Sequence, residues 1–314
     1  MKTFITCLLT VITLSVNAQQ NMNTFYVVDS LTRKPLPSVT IAIVRAALSI
    51  TTEKDGLFSI PGDLSTMRDT VVIYTQNYNS VKMPLANLQG IDTIKLEKMD
   101  MIAGSKLVFK NDTLLNDYNR FDVGNFAGLH MGNGEFKYLQ IAQRFEAPKA
   151  VTVLKDVTIE RLAFYLNKSK PGVINGQTEY SELEHTRFKL RVYDVNPVTG
   201  GPGKDLCDKV IEIKSRDDKK LATNLKRYNI VIPNKTFFIA IEWMRDYTNQ
   251  GYVHINDKRG GVKGHTNYRP AIGLIPIKGE KLNIWVLNLN QQWGLYTYHS
   301  PDFTDLAVKA TVGY

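Results

Sequence analysis

Cysteine is almost missing from this 314-residue chain, which has only Cys7 and Cys207. Cys7 lies in an apolar leader, so the remainder holds one thiol and no internal disulfide. A chain of this length can instead rest on a hydrophobic core. Long apolar runs are lacking too: after residue 20 none approaches the ~18 residues needed to cross a bilayer. The mature chain is therefore read as having no transmembrane segment. No stretch sustains a helical period, which turns the reading toward β-structure. Histidine is sparse and scattered (His130, His185, His254, His265 and His299), without the paired spacing that gathers ligands around zinc. There is no G-x-S-x-G elbow and no papain-type setting around Cys207. Glu242, in mid-strand beside Trp243 and on one face with Phe238 and Ala240, has no second carboxylate to make a glycosidase pair. The expectation is a chain with no catalytic residues, not an enzyme.

The first residues, by contrast, are full of signal. Lys2 supplies a cationic start, Phe4 to Val16 an apolar stretch, and Val16-Asn17-Ala18 a small-residue exit before Gln19. That is the pattern of a secretory signal peptide over residues 1–18. Cys7 follows Phe4-Ile5-Thr6 rather than small residues at a cleavage point, which argues against a lipid anchor. The formal charge of +9 falls to +8 once Lys2 leaves with the leader. The cations are scattered, or mixed with acids as in 214–220, and no zinc-finger or RNA-recognition signature accompanies them. A solvated basic surface is expected, with no nucleic-acid partner.

Residues 23–98 read as seven short strands: Phe25 to Val28, Val39 to Val44, Leu48 to Thr52, Leu57 to Ile60, Val71 to Thr75, Val81 to Leu85 and Ile91 to Leu96. Asp55-Gly56 between apolar runs is a hairpin signal, because glycine accepts the positive φ of a tight turn. Seven strands at this spacing argue for a small sandwich. The stretch Val28-Asp29, Lys34-Pro35-Leu36-Pro37-Ser38-Val39-Thr40-Ile41 and Thr51-Thr52-Glu53-Lys54-Asp55-Gly56-Leu57-Phe58-Ser59-Ile60 resembles the carboxypeptidase-regulatory-like domain. Asp69-Thr70-Val71-Val72-Ile73 and Asn77-Tyr78 resemble its later strand and Gly-Tyr turn. The resemblance implies a transthyretin-like sandwich of the kind found in exported proteins of Bacteroidetes-type bacteria, without catalytic residues of its own. Two features depart from the family: Thr24-Phe25-Tyr26 lacks the usual early glycine, and Asn77 stands where glycine is usual. Asparagine tolerates left-handed backbone better than most residues.

Residues 99–133 read as a connector with a strand at Lys106 to Phe109. From 134 to 314 the β signal returns, in Phe136 to Phe145, Val157 to Leu166, Thr186 to Val195, Lys209 to Ile213, Tyr228 to Ile232 and Thr236 to Trp243. Ala271 to Ile277, Leu282 to Leu287, Gly294 to Tyr298 and Leu306 to Val312 follow. In Phe188-Lys189-Leu190-Arg191-Val192-Tyr193 apolar residues take one face and cations the other. A second, larger, jelly-roll-like sandwich is expected, giving an all-β chain. Arg191-Val192-Tyr193-Asp194, Thr199 to Leu206 and Ile232 to Trp243 resemble uncharacterised sandwich regions paired with such regulatory-like domains.

Three candidate sites follow. Asp194, Asn196 and Asp205 flank a Gly-Gly-Pro-Gly loop and offer hard oxygens to calcium, although turn chemistry alone explains the same residues. Trp293, Tyr296 and Tyr298, with Asn290 and Gln292 beside them, could stack on and hydrogen-bond a glycan, or else fill the core, as Trp243 does with Phe237, Ile239 and Ile241. Ser30, Thr70, Thr93 and Thr113 each follow an aspartate and precede an aliphatic residue. They resemble O-glycosylation acceptors of exported Bacteroidetes proteins, or merely mark strand starts. The expected role is a non-catalytic interaction module in the periplasm, at the outer membrane or on the surface of a Gram-negative bacterium. Its expected partner is an envelope or surface protein or a glycan, and a carbohydrate-binding module is the alternative.

Overall fold

A computed structural model describes residues 22–64, 68–99, 109–128, 137–161, 173–174, 177–180, 186–215, 220–246, 249–256, 262–276, 281–298 and 301–314. The leader, most of the 106–109 strand, and His130, His185 and His299 lie outside the described residues.

The first part is built from β1 (Met22–Asp29), β2 (Thr40–Ile43), β3 (Leu48–Thr51), β4 (Leu57–Pro61), β5 (Thr70–Tyr74), β6 (Val81–Pro84) and β7 (Thr93–Leu96). They form two sheets, ordered β4-β1-β7 and β3-β2-β5-β6, with β1 and β7 parallel. Phe25, Val27, Phe58, Ile60, Ile94 and Leu96 from one sheet meet Ile41, Ile43, Val71 and Ile73 from the other. β1 alternates as a half-buried strand should, whereas β2 is buried at every position. Period-two alternation disappears when both faces of a sheet are covered. β2 therefore has a second neighbour.

Turn chemistry sets the connections. Gly56 has φ +73°, and a Cβ there would sit 2.5 Å from the Val27 carbonyl oxygen. Gly56→Ala is expected to destabilise by more than the ~1–2 kcal/mol of left-handed backbone alone; an unchanged urea midpoint would contradict this. Asn77 is left-handed at φ +68°. Asp29 accepts the Leu31 and Thr32 amides at 3.0 and 2.7 Å and the Tyr78 hydroxyl at 2.8 Å. The Thr32 amide first, and the Tyr78 hydroxyl next, hold the Asp29 carboxyl down to about 2 from 3.8. Burial first, then Asp29, pushes the Tyr78 phenol up from 10.0 to about 12.

Both shifts favour the folded state near neutrality. The Asp29 contribution is present above 3.8 and fades as pH falls toward about 2. The Tyr78 contribution is present below 10.0 and fades as pH rises through about 12. Tyr78→Phe should flatten the alkaline limb of stability against pH and let Asp29 titrate higher. An alkaline limb identical to that of the parent would contradict the assignment.

The larger part opens with β8 (Asp112–Leu115) and β9 (Asn125–Ala127), followed by β10 (Tyr138–Glu146), β11 (Thr152–Glu160), β12 (Val173–Ile174) and β13 (Gln177–Tyr180). Next come β14 (Thr186–Val195), β15 (Pro202–Asp205), β16 (Ile211–Ser215), β17 (Lys220–Asn224), β18 (Ile230–Ile232) and β19 (Thr236–Trp243). The last strands are β20 (Gln250–Asn256), β21 (Val262–Tyr268), β22 (Ile272–Pro276), β23 (Ile284–Asn288), β24 (Trp293–Leu295), β25 (Phe303–Leu306) and β26 (Val308–Gly313).

A seven-stranded sheet runs β15-β14-β19-β10-β23-β24, with β16 also on β14. Two further sheets, β17-β11-β26-β8 with β18 on β11, and β25-β22-β9, share one core with it. There Phe188, Leu190, Phe237, Ile239, Ile241 and Trp243 meet Leu154, Val157, Ile159, Ile272, Val308 and Val312. β12-β13-β20-β21 form a sheet of their own. The chain is thus all-β, with sandwich packing in both parts. The expected connector is partly structural: β8 completes the sheet of β26, and β9 pairs with β22.

Ala42, Val72 and Tyr74, on the outer face of the first part, pack with Leu139 and Leu287 of the seven-stranded sheet and with Leu289 in the turn after β23. This is the second neighbour that buries β2.

Candidate functional site

Along β14, Phe188, Leu190 and Val192 point into the large core, so Lys189, Arg191 and Tyr193 project from the other face. Along β19 the same alternation sends Phe238, Ala240 and Glu242 outward. Lys189 and Glu242 are directly paired across the two strands, as are Arg191 and Ala240. The first sandwich lies over this face, and the result is a closed charge network. Lys189 and Glu242 are both 0% exposed, and Arg191 is buried.

The Glu242 carboxylate collects four donors. Lys189 Nζ and Thr40 Oγ1 each donate to Oε1 at 3.3 Å. Arg191 Nη1 donates to Oε2 at 2.7 Å, and Gln140 Nε2 to the same oxygen at 3.3 Å. Arg191 grips Asp205 as well, through Nε at 2.8 Å and Nη2 at 2.6 Å. Gln140 Oε1 accepts the Tyr193 hydroxyl at 2.9 Å. Two of these links cross between the sandwiches: Thr40 donates to Glu242, and Lys189 Nζ donates to the Ser38 carbonyl.

Two cations and two carboxylates balance in charge. Burial alone would raise the Glu242 carboxyl, but Lys189 and then Arg191 overcome it and hold the group below its usual range. Burial pulls the Lys189 ammonium down, with Glu242 opposing it. The two directions pull differently on one pair. The four donors around the carboxylate favour the charged form of Glu242, with a positive group beside it.

Further bonds tie the junction. Thr51 Oγ1 accepts the Arg245 amide at 2.9 Å, and Asn77 Nδ2 donates to the Asp208 carbonyl at 2.9 Å. The sequence placed Glu242 on the right face but named no partner for it. The missing signal was the doubly apolar run Val39 to Val44, which shows that another surface covers the first sandwich.

The aromatic candidates divide. Trp293 is half-buried against Tyr193, edge to face at 5.4 Å, and packs into the junction. Tyr296 is 5% exposed and belongs to the large core. The two rings are therefore on different faces: Trp293 lies on the junction face of the sheet, and Tyr296 on the core face. Tyr298 is 56% exposed and stacks on Tyr296 at 6.5 Å. Asn290 and Gln292 are exposed in the β23–β24 turn, where both backbone amides donate to Asn288 Oδ1.

Each calcium candidate is engaged by partners of its own. Asp194 accepts the Asn234 amide at 2.9 Å on both oxygens. Asn196 Oδ1 closes the turn by accepting the Val198 and Thr199 amides. Asp205 takes Arg191 and the Cys207 amide. Gly201 in this loop lies flush on Trp285, where a Cβ would fall 2.5 Å from the ring.

Of the Asp-Ser/Thr positions, Ser30 follows β1, Thr70 and Thr93 open β5 and β7, and Thr113 is the second residue of β8. Thr93 is exposed, and the other three are half-buried. Asp69, before Thr70, accepts the Arg45 and Ala46 amides at 2.9 Å. A cleft of about 230 Å³ beside β10 is lined by Gln143, Arg144, Glu146, Asn283 and Asp305 among others. Asp305 Oδ1 there accepts Gln143 Nε2 at 2.7 Å and Asn283 Nδ2 at 2.9 Å.

Fold and junction together define an all-β protein of two sandwiches stacked face to face with a buried charge network between them. No family model and no curated protein matches the chain. Among solved structures, two of BcpA, the major pilin subunit of Bacillus cereus, are similar at 10% identity. One covers 82% of this chain and 70% of the pilin with a TM-score of 0.17. The other covers 94% and 95% with a TM-score of 0.16. Likeness at that level carries no argument about this chain.

Proposed function

We propose that the chain is a non-catalytic, exported interaction module of a Gram-negative envelope or cell surface. In this reading the first sandwich is a carboxypeptidase-regulatory-like, transthyretin-like scaffold, and the second, jelly-roll-like, bears the binding surface. The observation behind it is the junction. Lys189, Arg191, Glu242 and Asp205 are the residue types of an active centre, yet the first three are buried between two sheets and all four are engaged with each other. A network buried in this way supports a structural role rather than contact with a substrate. The leader Lys2 to Ala18 supports export. The test is the intact mass of the protein from native cell fractions. A chain beginning at Gln19 in an envelope or secreted fraction is expected. A cytosolic chain retaining Met1 would overturn the reading.

Tyr298 favours a second reading, glycan binding, because it is an exposed ring with a second ring stacked beneath it. In this reading Tyr298→Ala should lose glycan affinity on an array while Trp293→Ala, if folded, keeps it. No binding by the parent protein across the array would remove this reading.

A further inference from the structure

The junction combines two kinds of contact with different consequences. Its apolar contacts join Ala42, Val72 and Tyr74 to Leu139, Leu287 and Leu289, and the hydrophobic driving force behind them is non-directional. Its polar contacts are directional and few. Lys189 reaches the Ser38 carbonyl, Thr40 reaches Glu242, the Arg245 amide reaches Thr51, and Asn77 reaches the Asp208 carbonyl.

Two of the four first-sandwich residues that make these contacts have an unusual backbone. Ser38 has φ +59° and Asn77 has φ +68°, left-handed values at non-glycine positions. Such conformations persist only where the surroundings over-determine them. Here the Ser38 turn presents its carbonyl to a fully buried ammonium, and the Asn77 turn carries its side-chain amide to the other sandwich.

Energetics separate adhesion from orientation. A buried ion pair is roughly balanced against its own desolvation, so replacing one by apolar groups is often neutral. What such a network can supply is a single allowed registry. A sliding or rotating junction would strand Lys189 and Glu242 without their cross-sandwich partners, in surroundings that exclude water.

We propose that the Lys189–Glu242–Arg191–Asp205 network is an orientation key: it selects one angle between the sandwiches, while the apolar contacts around it supply the adhesion. The key fixes how the second sandwich is presented relative to the first. This inference concerns geometry and stands apart from the export reading, so either can fail alone.

The experiment uses spin labels at Lys95→Cys on the first sandwich and Val198→Cys on the second, both exposed positions, with Cys207 buried. Interspin distances are measured in the parent and in Lys189→Met/Glu242→Leu/Thr40→Val. That triple variant replaces the buried ion pair as a pair, removes both links from the network to the first sandwich and leaves Arg191 and Asp205 paired. The parent should give one narrow distance peak. The variant should stay folded by near-UV circular dichroism and lose that single peak, showing a broadened or divided distribution. A variant peak as narrow as the parent's overturns the proposal. A variant that fails to fold also overturns it, because the network would then be the adhesive itself.

Discussion

Replacing Glu242 by leucine is expected to destabilise the folded chain by about 3–5 kcal/mol, the range for removing one partner of a buried ion pair. The reason is what remains. Lys189 is 0% exposed, and Arg191 would keep only Asp205. Thr40 and Gln140 would each lose an acceptor as well. Leucine fills much of the space but offers no oxygen. Glu242→Gln should fall between the parent and leucine, since one amide oxygen can still accept from Arg191. Urea unfolding checks the order. A leucine variant within about 1 kcal/mol of the parent, the scale of an exposed pair, would show that the network is solvated.

The second large effect lies one residue away and on the opposite face. Trp243 is 2% exposed, and its indole N–H donates to the Pro270 carbonyl at 2.8 Å. It also sits against Gly128, where a Cβ would come within 3.1 Å of the ring. Trp243→Ala opens a large cavity at the end of the main core and leaves that carbonyl without this donor. The expected loss is about 3–5 kcal/mol from packing, at the upper end because a buried acceptor is stranded too. Trp243→Phe should recover most of the packing but not the hydrogen bond. Equal stability of the alanine and phenylalanine variants would contradict this division.

Much of this arrangement was legible in the residues. The alternation Phe237, Ile239, Ile241, Trp243 against Phe238, Ala240, Glu242 assigns each side chain to the face it occupies. Asn77, read as a stand-in for glycine, takes the left-handed backbone expected of it. What could not be read was the covering of a face. Lys189 and Arg191 look like a solvated cationic edge because nothing within β14 shows that a second sandwich lies above them. Trp293 reads as either core or binding face for the same reason: its neighbours Gln291 and Gln292 are polar, but its contacts are with Tyr193 and the junction, far away in sequence. Short strands such as β9 and β15 are invisible to periodicity, since three or four residues carry too little pattern.

The junction gives the proposed module a stated physical role. In the proposed module, two stacked sandwiches held at one angle would keep their far loops at a fixed separation. A partner binding at the β23–β24 end would then meet a preorganised surface and lose little to domain ordering.

The most direct test of that account is protease treatment of native cells, followed by detection of this protein before and after the outer membrane is opened. Degradation at one of these two stages is the predicted result, and the stage at which it occurs places the module on the surface or in the periplasm. Survival through both, with loss only after complete lysis, would put the chain in the cytoplasm and contradict the account.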